Sequence, residues 1–335
     1  MNTFGRNFRV TTFGESHGAA TGVVIDGCPP GFKISEEDIQ VFLDKRRPGQ
    51  SDLVTPRKEA DTVQILSGVF EGKTLGTPVC LLIQNTSMIS TDYDELKEVF
   101  RPGHADRGYY QKYGIRDHRG GGRSSGRETA ARVAAGAVAR CYLEKKGIFI
   151  NGTLTSVHGE KTQEGIEKAI REARDGGDSV GGVVSLVVSG CPHGLGDPVF
   201  GKLDAMIAFA MMGIGGVKAV EIGSGVQASS MKGSEHNDQM TDHGYLSNNA
   251  GGILGGISSG QDILVRLSIK PTPSIRSQQH TVDINGMDRI ISVKGRHDPC
   301  IAVRIVPVAE AMMALVLMDA FLEQRKIVPD CRQEP

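Results

Sequence analysis

The sequence predicts an α+β fold, a sandwich of antiparallel sheets and helices. Three observations point there. Short segments rich in β-branched residues recur along all 335 residues. Strand-like segments often follow one another with no helix between them, which argues against a doubly wound parallel sheet. Helix-like stretches are interspersed, enough to cover the sheets. No stretch rich in Pro, Ser or charge reads as a linker, so residues 1–335 are expected to form a single domain.

The first strands are expected at Phe8–Phe13 and Gly22–Ile25, followed by a helix over Glu36–Lys45 that Ser35 and Asp38 open as a capping box. Strands at Thr62–Phe70 and Val79–Ile83 come next. Over Arg127–Lys146, Ala130, Val133, Ala134, Ala137, Val138, Cys141 and Tyr142 fall at helical spacing, and Gly147 stops the helix. A helix at Gln163–Arg174, a strand at Val183–Val188 and a helix at Val199–Met212, just after Pro198, continue the pattern. Strands at Val217–Ile222, Ile263–Ile269 and Ile301–Ile305 follow. The last helix, Val308–Lys326, is apolar around much of its circumference and belongs in the core or at a subunit contact. Four turn-rich stretches, Arg46–Ala60, Asn85–Gly126, Gly223–Gly260 and Lys270–Asp298, are too long for idle connections.

Net charge is −1, which excludes a global attraction to nucleic acid or anionic lipid; any basic character is local. Six scattered cysteines without a C-x-x-C pair suit a reducing compartment, and a cytoplasmic location is expected. The start of the chain lacks the apolar run of a secretion signal, and no segment approaches 18 uncharged apolar residues, so no membrane helix is expected. The 44 glycines, neither periodic nor of low complexity, suggest tight turns and pockets lined by backbone.

The most informative stretch is HRGGGRSSGRE, His118–Glu128. Gly120, Gly121 and Gly122 let backbone approach a ligand, Arg119, Arg123 and Arg127 surround it with charge, and Ser124 and Ser125 are good helix caps. Free N–H groups at a helix start together with guanidinium groups make an anion site. The plainer reading is a solvated loop with incidental arginines. His17 in GESHG and His104 in RPGHADR, each among turn residues, are expected to be accessible and able to exchange a proton, or else to be turn histidines without a role. Asp298, beside Arg296 and His297, suits a base or orienting group, or a turn cap. Lys45-Arg46-Arg47 at a helix end either binds anions or only answers the helix dipole. There is no H-E-x-x-H or C-x-x-C signature, so no metal is expected. The inventory favours a polyanionic ligand carrying phosphate, and proton transfer as the chemistry.

Three rival motif readings are weaker. Gly122–Gly126 matches the G-x-S-x-G elbow of serine hydrolases but lacks the apolar strand before it. Gly223–Ala228 matches G-x-G-x-x-A, yet no amphipathic helix follows. A non-catalytic phospho-ligand or RNA-binding protein is the alternative from another class; few aromatics interleave the arginines.

GESHG at Gly14–Gly18, RPGHAD at Arg101–Asp106, GGGRSSGRETAARVAAGA at Gly120–Ala137, SNNAGGILGGISSG at Ser247–Gly260, KPTPSI at Lys270–Ile275 and GRHDPC at Gly295–Cys300 resemble chorismate synthases, in order over nearly the whole chain. The resemblance implies a β-α-β sandwich, usually a homotetramer, that converts 5-enolpyruvylshikimate-3-phosphate to chorismate and phosphate. This trans-1,4-elimination is the last common step of aromatic biosynthesis and needs reduced FMN; the compactness of this chain points to an external flavin reductant. By motif, His17 protonates the departing phosphate, and His104 protonates the reduced flavin or holds its charge. Asp298, with Ser16 and Ser125, relays the proton removed from substrate through flavin N5. Arg123, Ser124, Ser125, Gly215, Gly216, Gly255, Lys270, Pro271, Thr272, Pro273, Ser274 and Arg296 fall at FMN positions, and Arg46, Arg107 and Arg127 at positions for substrate carboxylate or phosphate. Gly215-Gly216 replaces a pair that often bears side chains, and Asp52 stands where a second basic residue is common, with Arg57 nearby to substitute.

Overall fold

Two antiparallel sheets enclose a layer of helices. The computed structural model describes residues 1–49, 53, 59–86, 96–293 and 297–327. In the first sheet the strands lie in the order Thr3–Phe4, Arg9–Phe13, Ala20–Asp26, Val79–Gln84, Val63–Ser67. In the second the order is Val217–Ile222, Ile263–Ile269, Gly182–Ser189, Phe149–Val157. Strand alternation decides which face is buried: Val23 and Ile25 point inward with Leu81 and Ile83, as do Val184, Leu186 and Val188 with Ile263, Val265 and Leu267.

The helices are α1 (Glu36–Arg46), α2 (Asp106–Tyr113), α3 (Thr129–Glu144), α4 (Gln163–Asp175), α5 (Leu203–Met212), α6 (Gly233–His236) and α7 (Ala302–Ile327). α1 and α3 pack on the first sheet, α5 and α7 on the second, and α3 crosses α7 in the middle. One contiguous core runs through all three layers. The crossing is close because Gly136 faces Ala311: a Cβ there would lie 2.4 Å from the Ala311 Cβ. Beside it, buried Arg140 pairs with Glu310 at 2.9 Å, and Glu310 accepts the Gly152 N–H of the second sheet at 2.7 Å. That ion pair ties both helices to a strand.

The expected capping box of α1 is present: Ser35 Oγ accepts from Asp38 N, and Asp38 Oδ2 accepts from Ser35 N. Several expectations need correction. Ile301–Ile305 is the opening of α7, not a strand, because its β-branched residues continue the apolar face of that helix. The helix expected from Val199 begins at Leu203. Ser125 does not cap α3 directly; it caps a 3-10 turn, Gly126–Glu128, that precedes it. α2 lies inside a stretch expected to be irregular, and Phe149–Val157 was not foreseen as a strand since Asn151 and Gly152 interrupt its pattern. α7 is long and apolar enough to pass for a membrane span, with a mean hydropathy of 2.0 over its most apolar window, though Glu310 and Asp319 interrupt it, so the expectation of no uncharged 18-residue run holds among the described residues. That window is 72% buried between the layers, as a core helix must be.

Gly136→Ala is expected to destabilise the fold by about 1–3 kcal/mol despite alanine's better helix propensity, since backbone must shift to admit the methyl group. Chemical denaturation checks this; a midpoint at or above that of the wild type contradicts the close crossing.

Candidate active site

The candidate residues gather at the end of the sandwich where α3 and α7 begin, around the loop 117–128. Ser16 and His17 follow the strand Arg9–Phe13. Ser16 Oγ donates to the Arg119 carbonyl at 3.3 Å and lies 3.1 Å from His17 Nδ1. With its proton so placed, Ser16 accepts from Nδ1–H, which fixes a hydrogen on that ring nitrogen. His17 is buried, not accessible as the sequence suggested. Gly120, at φ +62°, packs close against the ring: a Cβ there would stand 2.4 Å from His17 Cε1.

His104 is fixed from both sides. Nδ1 is 2.9 Å from the Pro102 carbonyl, which can only accept, so Nδ1 carries the hydrogen; Nε2 then accepts from the Ser274 hydroxyl at 2.8 Å. Burial, and next the positive charge of Arg101, push its pKa down to about 4. Arg101 itself is locked by a two-pronged pair with Asp106, at 2.8 and 2.9 Å. Burial works against the ionised Asp106, but the hydrogen bonds and charge of Arg101 hold its carboxyl below the usual range.

The segment Lys270–Ser274 closes one side. Lys270 Nζ donates to the Gly103 carbonyl at 2.8 Å, and Lys270 N donates to the Gly216 carbonyl at 2.9 Å. Gly216 in turn abuts Ile301, where a Cβ would come within 2.7 Å. Just beyond Ile301, Arg304 Nη1 pairs with Asp298 Oδ2 at 2.8 Å, and Arg304 Nε donates to the Arg46 carbonyl at 3.3 Å. Thus His17, His104 and Asp298 are each tied, through named contacts, to the same end of the molecule.

Arg46 and Arg127 do not stand open to solvent. Arg46 donates to Asp61 at 2.6 Å, to Thr129 Oγ1 at 3.1 Å and to the Gly126 carbonyl at 2.8 Å. Arg127 pairs with the other oxygen of Asp61 and with Glu59 at 3.0 Å, and donates to Asn85 Oδ1 at 2.8 Å and the Gln84 carbonyl at 3.2 Å. Burial opposes the charge on Asp61, yet the two guanidinium groups outweigh it and keep the carboxyl below its ordinary range. Burial brings Arg46 down to about 10.

Arg123 donates to Thr12 and to the Gly14 carbonyl, Ser124 Oγ donates to the Gly121 carbonyl at 2.7 Å, and Ser125 Oγ accepts from Arg127 N. An open cleft of about 890 Å³ runs along this loop, lined by Tyr109, Tyr113, Arg119, Gly121, Arg123 and Ser124 among others. Arg107 stands exposed on the first turn of α2. Gly255 is set apart: it sits in a hairpin turn whose next residue, Gly256, accepts from the first amide of α5, whereas Gly215 lies beyond the last turn of that helix. Ten helical residues, about 15 Å, separate them. Arg296, with Asp52 and Arg57, lies outside the described residues. Sequence reasoning missed Asp61, Asn85 and Asp106. Asp61 and Asn85 lie outside regular structure and Asp106 opens α2, and only the tertiary fold shows that an arginine is the partner of each.

The chorismate synthase family model matches residues 8–322. The chorismate synthase of Aromatoleum aromaticum (strain DSM 19018 / LMG 30748 / EbN1) is 53% identical over 345 aligned positions, covering 97% of this chain and 92% of that one. The chain belongs to the chorismate synthase family. A crystal structure of a chorismate synthase agrees in fold, with a TM-score of 0.74 at 32% identity over 96% of this chain and 93% of that one. Chorismate synthase is a carbon–oxygen lyase of aromatic amino acid biosynthesis in the shikimate pathway, acting on 5-enolpyruvylshikimate-3-phosphate, and the family uses a flavin.

The residues present fit such a group. Thr272 Oγ1 is buried without a partner in the segment that borders His104, and Gly215 faces open space where a side chain would project. Bare backbone, an orphaned hydroxyl and nearby arginines suit a flat ring with a phosphate.

Two outcomes follow. His104 should titrate with a midpoint near 4, as read by NMR of its ring protons; a midpoint near 6.5 contradicts the burial described. The native state holds this proton more weakly than the unfolded chain, so His104 costs stability as pH falls from 6.5 to 4 and nothing above that window. Gly120→Ala should depress activity at least tenfold by displacing His17, and wild-type activity would contradict the close contact.

Proposed function

We propose that this chain catalyses the anti 1,4-loss of phosphate from 5-enolpyruvylshikimate-3-phosphate with reduced FMN as its flavin. The observation that carries this reading is His17 packed against Gly120 of an arginine-bearing glycine loop; His104 held by Ser274 and Asp298 held by Arg304 support it. Arg123, Ser124, Ser125, Gly215, Gly216, Lys270 to Ser274 and Arg296 hold the flavin. When bound, the reduced flavin supplies electron density to the substrate as the C–O bond breaks.

The chain's own groups handle charge and protons. Arg46, Arg107 and Arg127 attract the carboxylates and phosphate of the substrate. His17 keeps its Nδ1–H on Ser16 and, protonated at Nε2 as well once the anionic substrate lies beside it, gives that Nε2 proton to the leaving phosphate oxygen. Asp298, oriented by Arg304, receives the proton that leaves carbon, with Ser16 and Ser125 on the route. His104 is neutral near pH 7 in the ligand-free chain; negative charge arriving beside it raises its affinity for a proton, so its charge is acquired with the ligands.

We also propose a single-domain, cytoplasmic homotetramer served by an external flavin reductant. Val199, Phe200, Phe209 and Met212, exposed in and beside α5, supply apolar surface for such contacts. Gly255, at the other end of α5 from Gly215, meets a flavin held by a second copy in this reading.

His17→Ala and His104→Ala should each lower turnover by about 10²-fold or more with the fold intact. An anaerobic assay with dithionite-reduced FMN, following phosphate release and product absorbance, measures this. Wild-type rates in both variants would defeat the proton-transfer roles. With oxidised FMN and no reductant, turnover should be absent; activity there would contradict the need for an electron-rich flavin.

A further inference from the structure

Arg46 comes from the end of α1 and Arg127 from the turn before α3, elements far apart in sequence. Two guanidinium groups side by side repel, and the charge of Arg127 contributes to the lowered proton affinity of Arg46. What keeps them together is Asp61. Its side chain is fully buried, and each carboxylate oxygen takes one arginine: Oδ2 takes Arg46 at 2.6 Å, and Oδ1 takes Arg127. Its backbone sits at φ +50°, an uncommon conformation for an aspartate, which the surrounding pairs over-determine. The remaining nitrogens of both arginines reach Gly126, Thr129, Gln84 and Asn85, so their orientation is fixed by backbone and buried side chains.

We propose that Asp61 is a positioning residue: without touching substrate, it fixes the spacing of the Arg46 and Arg127 guanidinium groups and thereby sets the affinity for the anionic substrate. A carboxylate is the group suited to this task. It accepts from two donors at once through separate oxygens, and its negative charge offsets the repulsion between two cations. A carboxamide of the same shape offers one acceptor oxygen and one amino group, which faces an arginine as donor against donor. One guanidinium then loses its anchor and turns away. The effect falls on substrate binding, because the two arginines meet anions in the ground state and in the transition state alike, and a loss of such uniform binding raises KM with little change in kcat. A residue that only held the fold would instead reduce the fraction of active enzyme, which lowers apparent kcat and leaves KM alone.

This inference rests on Arg46 and Arg127 binding substrate, so the experiment keeps the two ideas apart. In the anaerobic assay, with active sites counted by titration with FMN, Asp61→Asn should raise KM for 5-enolpyruvylshikimate-3-phosphate at least tenfold. Its kcat per active site should stay within about threefold, and its affinity for FMN should stay within twofold. Asp61→Glu, which restores the charge, should recover part of the KM. A folded Asp61→Asn enzyme with KM within twofold of the wild type overturns the proposal when Arg127→Ala does raise KM. If neither Arg46→Ala nor Arg127→Ala raises KM, the substrate assignments fail and the proposal falls with them. Should Asp61→Asn not fold, Asp61→Glu is read by the same split, and unchanged KM overturns the proposal. Loss of the fold in both variants assigns Asp61 to stability alone and overturns it as well.

Discussion

Charged groups inside a protein are stable only when other charges or hydrogen bonds replace the water they have lost, and this chain meets that demand at one place above all. Arg46, Arg127 and Arg304 meet Asp61, Glu59 and Asp298 where the first sheet, α1, α3 and α7 come together. The six formal charges balance, so the group can be enclosed. It also fixes the turn from Gly126 to Thr129 against the ends of α1 and of the strand Val79–Gln84. The glycine loop just before that turn inherits its position. Removing one partner from such an assembly typically costs about 3–5 kcal/mol, which explains why polar side chains so close to a ligand site are held so rigidly.

From that anchor the remaining features follow in order. A fixed turn lets Gly120 pack close to His17, and that imidazole is buried yet held against Ser16. A second locked pair, Arg101 with Asp106, sits under Gly121 and fixes the turn that carries His104. The third wall, Lys270–Ser274, is pinned to Gly103 on one side and to Gly216 on the other. Rigid placement of this kind suits an elimination in which charge must be met where it develops, with little reorganisation during the step.

The layers were legible in the residues because strand and helix periods are local. Val183–Val188 and Ile263–Ile269 alternate as half-buried strands do, and the α3 segment repeats small apolar residues at helical spacing. The error at Ile301–Ile305 has the same root. Five residues rich in Ile and Val read as a strand, and only their continuation into Val308–Leu317 inside a buried layer makes them helix. The chemistry was partly legible. GGGRSSGRE and the histidine turns, in their order along the chain, carried the family resemblance that the family model bears out. Asp61 and Asn85 were not legible, since pairing between separated positions leaves no periodic trace, and Asp106 pairs with Arg101 only because the turn between them folds back. The burial of His17 was likewise hidden, because the ring packs against a glycine more than a hundred positions away.

The central claim is that the loop Gly120–Arg127, braced by buried ion pairs, is where flavin and substrate meet. The most direct measurement is a crystal structure of the enzyme with FMN and 5-enolpyruvylshikimate-3-phosphate bound. The account predicts substrate phosphate and carboxylates beside that loop, with a ring nitrogen of His17 and one of His104 each within hydrogen-bond reach of a ligand, and Asp61 still bridging its two arginines. Ligands seated elsewhere, with the loop and both imidazoles untouched, would contradict it.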